Sequence, residues 1–322
     1  MLLGYLTDAV AGRSLDEALA LAAELGLDGV ELGAGGWSKA PHLDLAATAG
    51  SSSEIRKLQA KLDDHGLRLL AINANGNQLH PTDGAAHDAV VRGSLRLAAE
   101  MGVPTVVLMS GLPAGAPGDT MPNWITTSWP PEAEAMLRHQ WEDVALPYWR
   151  GLADEAERLG VRLAVEMHGR QLVHNVASFR RLSDAVGSPA IGANLDPSHL
   201  MWQGCDLLAV VEALGRDIAH VHAKDVRIMP RRTAVDGLLD PLPPSAVHER
   251  TWNYVTLGNG HRGGAEFWRE FVYALHAVGY SGPLSIEHED VLVGGEEGLR
   301  RATAILRPLL FHDAPDWTPA DV

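Results

Sequence analysis

The chain has 322 residues and a formal net charge of −15, with 26 basic against 41 acidic side chains. A surface of this sign repels phosphate backbones, which argues against nucleic acid as a partner. The longest apolar runs fall far short of the ~20 residues that span a bilayer, which argues against a membrane protein.

The chain has a single cysteine, Cys205, so neither an intramolecular disulfide nor a cysteine-based zinc site can form. The N-terminal segment MLLGYLTDAVAGRS has no basic region and reaches Asp8 early. We therefore expect no secretory signal peptide and a location in the reducing cytoplasm.

Short apolar segments alternate with longer amphipathic ones in eight pairs. The predicted strands are 2–8, 29–33, 67–73, 104–110, 161–167, 191–196, 218–224 and 282–288. The predicted helices are 14–25, 52–65, 85–101, 132–159, 177–186, 206–215, 264–278 and 296–310. This alternation is typical of a parallel sheet. Eight such units predict an α/β fold, a single (β/α)₈ barrel over residues 1–311, followed by an extended tail over 312–322.

Helix boundaries support this division. Ser14 and Ser52 stand at predicted helix starts, each followed by an acid in the first turn, and we expect both to be N-caps. A glycine closes four of the predicted helices, at Gly26, Gly102, Gly160 and Gly279.

Two connections are too long to be simple turns. One runs from 110 to 131 and contains Trp124 and Trp129, and the other runs from 225 to 263 and contains Trp252. Long structureless loops in compact domains are usually functional. Both follow strands, so we expect them at the C-terminal face of the barrel, where barrel enzymes keep their sites.

Ionisable side chains stand at the predicted ends of four consecutive strands. They are Glu166 and His168, Asp196 and His199, His220 and His222, and Glu287. Barrel closure brings these ends together, and carboxylates so close repel one another unless a cation lies between them. We predict a divalent metal site formed by Glu166, Asp196, His222 and Glu287. Hard oxygen ligands with one imidazole favour Mn²⁺, with Mg²⁺ or Co²⁺ as alternatives.

Each of these residues also has a purely structural interpretation. Asp196 precedes Pro197 and could cap a turn. Strand alternation places His220 and His222 on the same side, and we select His222 because it lies nearer the rim, which leaves His220 as a core histidine. Lys224 and Asp225 could flank the site or simply form an ion pair.

The segments RLAVEMHG, IGANLDPSH, AHVHAKD and GPLSIEHED resemble the sugar isomerase/epimerase superfamily of xylose-isomerase-like TIM barrels. The resemblance covers nearly the whole chain. Its metal pattern falls on the same four residues that the strand ends indicate. It further implies substrate contacts from His199 and from an arginine after the seventh strand, for which Arg227 is the nearest match.

A narrower resemblance is carried by GNQLHP, SGLPAGAPGD, PNWITTSWPPE and NLDPSHLMWQGCD. These segments resemble the α subunit of bacterial C-glycoside deglycosidases. That resemblance implies a metal-bearing barrel in a hetero-oligomer with a small β subunit, acting on 3-oxo glycosides.

The implied chemistry is removal of a proton next to a ketone, which a divalent ion assists as a Lewis acid. The candidate bases are His168, Glu166 and Glu287, and we favour His168 because it lies beside the metal ligands without being one of them. His168 could equally be a residue that orients a carboxylate.

Three further side chains are candidates for substrate binding. His80 and Asn77 follow the third strand and could contact sugar hydroxyls, or could form a turn around Pro81. Trp124 could stack on an aromatic aglycone or belong to an interface.

Three other functions compete with the lyase. A sugar isomerase or epimerase would use the same ligands, with Glu166 and Glu287 carrying the protons, on a phosphorylated or a non-phosphorylated ketose. A phosphate pocket could involve Arg231 and Arg232, and we favour a non-phosphorylated sugar. A metal-dependent nuclease would need a basic groove, which the net charge disfavours. A sugar-binding protein without metal would not need the four-residue set.

Overall fold

The computed structural model describes residues 1–260 and 263–313. In these ranges eight parallel strands close into a barrel, in the order β1–β10–β7–β6–β5–β4–β3–β2. The barrel strands are β1 (Leu2–Leu6), β2 (Gly29–Gly33), β3 (Arg68–Asn73), β4 (Thr105–Met109), β5 (Arg162–Glu166), β6 (Ile191–Leu195), β7 (Ile218–Ala223) and β10 (Pro283–Ile286). Every predicted strand is present within two residues of its expected bounds, which confirms the TIM barrel. Most of the predicted tail, residues 314–322, lies outside the described residues.

The helices surround the barrel. They are α1 (Leu15–Glu24), α2 (Leu45–Thr48), α3 (Ser52–Asp64), α4 (Gly84–Met101), α5 (Glu132–Arg138), α6 (Leu146–Leu159), α7 (Val176–Val186), α8 (Pro197–Met201), α9 (Leu207–Leu214), α10 (Pro230–Asp236), α11 (Ala265–Ala277) and α12 (Gly295–Leu306). A π-helical segment, His139–Ala145, joins α5 to α6. None of the helices described here is long and apolar enough to cross a membrane.

The helix ends follow local hydrogen bonding. Ser14 caps α1 in a capping box, in which Ser14 and Glu17 each accept from the other's backbone N–H. Gly102 and Gly160 close α4 and α6 in the left-handed conformation. The expectation that Ser52 caps α3 is wrong. Ser51, with extended backbone, accepts from the Glu54 N–H, so the helix already includes Ser52.

The two faces of the barrel strands differ in chemistry. Val30, Leu108 and Val165 belong to the main core between strands and helices. Their alternating neighbours point the other way, and Ala71, Val107 and Ala164 form a separate apolar cluster. Other members of this second set are polar and buried, namely Glu31, Asn73, Glu166, Asn194, His220 and His222. The interior of the barrel therefore carries the candidate site.

The connection after β7 is structured at both ends, contrary to the expectation of a structureless loop. β8 (Asp225–Ile228) pairs antiparallel with β9 (Trp252–Val255). Asp225 anchors this connection. Its Oδ2 accepts from the backbone N–H groups of Gly258 at 2.9 Å and Gly260 at 3.2 Å, and from the indole of Trp268 at 3.1 Å. One buried carboxylate thus joins the start of the insertion to its end.

Candidate active site

Four side chains from four consecutive barrel strands meet at the C-terminal end of the barrel. One ligand atom each from Glu166, Asp196, His222 and Glu287 lies within 4.8 Å of the other three. Glu166 Oε2 and Glu287 Oε2 lie 3.4 and 3.1 Å from Nδ1 of His222. The structure therefore brings together all four residues predicted as metal ligands, and it places His220 outside this set.

The two carboxylate oxygens of Asp196 have different partners. Its Oδ1 accepts from the Ser198 N–H at 2.8 Å and caps α8, as the structural interpretation of this residue expects. Its Oδ2 is buried and lies 3.0 Å from Nε2 of His199 and 3.4 Å from the ammonium group of Lys224. Each of these two groups also contacts a second carboxylate of the cluster, Glu166 for His199 and Glu287 for Lys224. Three carboxylates and one imidazole at this spacing fit a hard divalent ion.

Lys224 adds a positive charge to the cluster. Its buried ammonium group lies 3.4 Å from Asp196, 3.1 Å from Glu287 and 2.9 Å from Glu289. Burial alone would lower the pKa of Lys224, but the surrounding carboxylates outweigh burial and hold this pKa well above its usual value. Lys224 is thus charged and faces the site, as one of its two sequence interpretations proposed.

His199 is held between the cluster and the insertion. Its Nε2 lies 3.1 Å from Glu166 and 3.0 Å from Asp196, and its Nδ1 lies 2.9 Å from the Tyr254 hydroxyl. Burial opposes charge on this ring, but Asp196 and Glu166 raise the pKa of His199 to about 9. The ring is therefore an imidazolium in direct contact with two of the candidate ligands.

His168 lies next to His199 and outside the ligand set. The two ring centroids are 3.9 Å apart. His168 Nδ1 donates to the carbonyl of Gly169, so its Nε2 carries the lone pair. Burial lowers the pKa of His168 to about 3, with a further contribution from the positive charge of His199. The ring is neutral, which is the form that accepts a proton.

Two cavities adjoin the cluster, one lined by the candidate ligand Glu287 and the other by His168 and Tyr254, which both contact His199. The aromatic cavity, about 480 Å³, is lined by His168 together with Trp124, Trp202, Arg250, Trp252 and Tyr254. Trp202 and Trp252 stack at 5.0 Å with an interplanar angle of 5°. The polar cavity, about 270 Å³, is lined by Asp8, Ser38, Asn75, Glu287 and Glu289 and by apolar residues that include Leu6, Trp37 and Met109. Carboxylates are thus concentrated in one cavity and aromatic rings in the other.

Three predicted substrate residues lie elsewhere or are already engaged. Asn77 joins two loops by donating to Leu112 O at 3.0 Å and accepting from Leu112 N at 2.8 Å. His80 Nδ1 accepts from the Thr82 and Asp83 backbone in a local turn. Arg227 is exposed on β8 and reaches Asn259 O at 3.4 Å. None of the three lines the two cavities, so the structure does not bring them to the cluster.

The insertion supplies a different arginine. Arg250 is 5% exposed, lines the aromatic cavity and lies over the Trp252 ring at 4.5 Å. Arg231 and Arg232 are exposed on α10 and so form no phosphate pocket of buried residues. The sequence prediction looked for an arginine shortly after His222 and so selected Arg227. Arg250 is far along the sequence from His222, but the β8–β9 pairing brings it back to the cavity.

Three further polar residues were not identified from the sequence. Glu31 is fully buried under His222 and pairs with it at 3.0 Å. Asn75 donates to Glu166 at 2.7 Å, and Asn194 donates to the same oxygen at 3.1 Å. The signal that was available for Glu31 is a charged residue inside the apolar strand GVELG.

Comparisons with known proteins agree with this architecture. The family described as xylose isomerase-like TIM barrel matches residues 19–309. The uncharacterized protein YfiH of Bacillus subtilis (strain 168) is 42% identical over 311 residues, covering 95% of this chain and 98% of the relative.

Two solved structures share the fold. The 3-DHS dehydratase AsbF of Bacillus anthracis, described as probable and as involved in petrobactin synthesis, has a TM-score of 0.67 at 16% identity, covering 95% of this chain and 99% of its own. The IOLI protein with a bound zinc atom has a TM-score of 0.66 at 19% identity, covering 96% of this chain and 98% of its own.

Proposed function

The chain belongs to the xylose isomerase-like TIM barrel family, and from this membership and the site we propose a metal-dependent lyase that acts on 3-oxo glycosides. The observation that carries the proposal is that the cluster adjoins two cavities, one rich in carboxylates and one rich in aromatic rings. A glycoside has this division, with a polyhydroxylated ring joined to a planar aglycone.

Glu166, Asp196, His222 and Glu287 would hold the ion, and Mn²⁺ is the candidate that the donor set favours, with Mg²⁺ or Co²⁺ as alternatives. When bound, such an ion acts as a Lewis acid that polarises a ketone and stabilises negative charge on its oxygen. The solved IOLI barrel shows that this fold can carry a divalent metal.

The protein's own residues supply the proton transfer. His168 lines the aromatic cavity and, because its Nδ1–H donates to Gly169, its Nε2 carries the lone pair that takes the proton from C2, next to the ketone. A C1=C2 double bond forms as the bond from C1 to the aglycone breaks, and the aglycone leaves with the electron pair and is then protonated. Positively charged His199 and Lys224 favour the negative charge that develops on the sugar.

The sugar ring occupies the polar cavity in this proposal. Its lining carries three carboxylates, Asp8, Glu287 and Glu289, which accept hydrogen bonds from hydroxyl groups and repel a phosphate ester. The aglycone packs in the aromatic cavity, whose lining includes Trp124, Trp202 and Trp252.

A small partner subunit is part of the proposal, as the deglycosidase resemblance implies. Apolar side chains on the loops around the mouth are exposed, including Trp37 at 54%, Met121 at 69% and Trp129 at 76%. A partner seated on these loops would cover such a patch.

The test is release of free aglycone from an aryl 3-oxo glucoside by the Mn²⁺-loaded chain, measured by chromatography with and without a candidate β subunit. His168→Ala is expected to lower the rate by about 100-fold or more while metal content stays unchanged. No free aglycone under either condition would contradict the lyase proposal.

One observation favours a second candidate, a ketose isomerase or epimerase. Glu166, at the end of β5, and Glu287, just after β10, both approach His222 Nδ1, so two carboxylates from different strands converge on one point of the cluster. Such a pair could remove and return a proton on opposite faces. Exchange of deuterium from solvent into a free ketose such as D-fructose, without release of any aglycone from a glycoside, would favour this alternative.

A further inference from the structure

Glu31 lies beneath the candidate ligands and binds two histidines at once. Its Oε1 lies 3.0 Å from Nε2 of His222, and its Oε2 lies 2.8 Å from Nε2 of His220. All three side chains are fully buried. Asn73 Nδ2 donates to Glu31 Oε1 at 2.9 Å and holds the carboxylate in place. Glu31 is on β2, three strands around the barrel from the histidine strand β7.

A carboxylate can only accept, so each of the two histidines must donate its Nε2–H to Glu31. For His222 this leaves Nδ1 as the atom that faces Glu166, Glu287 and Asn194, at 3.4, 3.1 and 3.1 Å. The pairing therefore selects which nitrogen of His222 points into the cluster.

The same carboxylate separates the roles of the two histidines. The Nε2 of His220 lies 2.8 Å from Glu31 and 3.1 Å from Ser285 Oγ, and His220 is not among the four residues whose ligand atoms form the cluster. His220 and His222 lie on the same side of one strand, and their environment rather than their position in the strand distinguishes them.

We propose that Glu31 is a positioning residue that fixes His222 with Nε2 protonated and Nδ1 directed at the metal, and that holds His220 out of the metal site. This inference rests on the metal-binding part of the proposed function. A metal-binding histidine usually donates its other ring N–H to a carboxylate or carbonyl, which orients the ring and raises its basicity.

Glu31→Gln is the direct test, because glutamine keeps the shape but offers one acceptor oxygen where two N–H groups need one each. We expect the dissociation constant for Mn²⁺, measured by calorimetric titration and electron paramagnetic resonance, to rise about 10- to 100-fold. Ser285→Ala is the matched control: it removes the Oγ contact to His220 and leaves the His222–Glu31 pair intact, so the Mn²⁺ affinity stays at the wild-type value. Wild-type affinity in folded Glu31→Gln would overturn the proposal.

A measurement on the wild-type chain covers the case in which Glu31→Gln does not fold. Nitrogen NMR of ¹⁵N-histidine-labelled protein, loaded with diamagnetic Zn²⁺ and assigned with a His222→Gln variant, reports the tautomer of His222 directly. Protonated Nε2 with metal-bound Nδ1 is expected. Metal bound through Nε2 would overturn the proposal even if the chain binds its ion tightly.

The three residues Glu31, His220 and His222 could instead hold an ion of their own, since their ligand atoms also cluster within 4.8 Å. Titration distinguishes the two arrangements. One ion per chain with His222 bound through Nδ1 supports the positioning role, and two ions per chain would overturn it. Tight metal binding without any lyase turnover would contradict the proposed reaction and leave the role of Glu31 standing.

Discussion

The Tyr254 hydroxyl lies 2.9 Å from Nδ1 of His199. This contact joins the insertion after β7 to the barrel centre, because Tyr254 belongs to β9 and His199 to the short helix α8. Since His199 is an imidazolium, its Nδ1–H donates to the tyrosine oxygen. The insertion therefore completes the environment of a residue that contacts two candidate metal ligands.

Loss of this hydroxyl is expected to impair turnover without removing the metal. A hydrogen bond to a charged group contributes about 1.5 kcal/mol, so Tyr254→Phe should lower kcat about tenfold. Steady-state kinetics and elemental analysis of the same preparation check both parts. Unchanged kcat would show that the insertion does not support His199 during the reaction.

The aromatic cavity is expected to recognise the aglycone. Trp252→Ala removes one of its walls, so KM should rise for an aryl 3-oxo glucoside and change little for the methyl 3-oxo glucoside. The control is Tyr273→Ala, at a side chain on α11 that is 64% exposed and does not line this cavity. Equal effects of Trp252→Ala on both substrates would place the aglycone elsewhere.

Asp225 is expected to be a stability determinant. Its side chain accepts from three backbone N–H groups and one indole. Asp225→Ala removes the acceptor shared by the Gly258 and Gly260 N–H groups and the buried Trp268 indole, and should lower the free energy of unfolding by about 2 to 3 kcal/mol. Urea denaturation followed by circular dichroism measures this, with exposed Asp154→Asn as control. An unchanged midpoint would mean that the insertion does not depend on this anchor.

His174 is expected to account for part of the loss of folding stability at low pH. Burial lowers its pKa from 6.5, with the backbone carbonyls of Leu172 and Gln171 opposing. Well above pH 6.5 the ring is neutral in the folded and in the unfolded chain, so it does not make stability depend on pH. As the pH falls through 6.5, the unfolded chain takes up a proton that the folded chain does not, so stability falls until the lower folded-state pKa is reached.

His174→Gln should therefore lose less stability than wild type between about pH 7.5 and about pH 5.5. Thermal denaturation at both values gives the comparison. The same loss in both proteins would contradict a half-buried histidine that stays neutral at this position.

The alternation of strands and helices predicted the barrel because each barrel unit carries its own signal: an apolar strand, a capped helix and a closing glycine. Glu166, Asp196, His222 and Glu287 were also identifiable, since topology places the ends of consecutive parallel strands together. These predictions depend on order along the chain, which the sequence contains.

The remaining contacts depend on distance in space. Glu31 meets His220 across 189 residues, and no local pattern relates the two positions. Arg227 was chosen by its offset from His222, but the β8–β9 hairpin turns it outward and brings Arg250 inward. Asn77 and Asn75 both follow β3. The Asn77 side chain joins two loops, and it is Asn75 that contacts Glu166.

The proposed reaction depends on one divalent ion held by the four strand-end residues. The metal content of the purified chain and of Glu287→Gln, measured by elemental mass spectrometry, decides whether they hold it. We expect about one ion per chain after addition of Mn²⁺ and a clear loss of metal in the variant, because a carboxylate ligand becomes a neutral amide. No bound metal in the wild type would contradict the account, and would mean that Lys224 and the charged histidines alone balance the buried carboxylates.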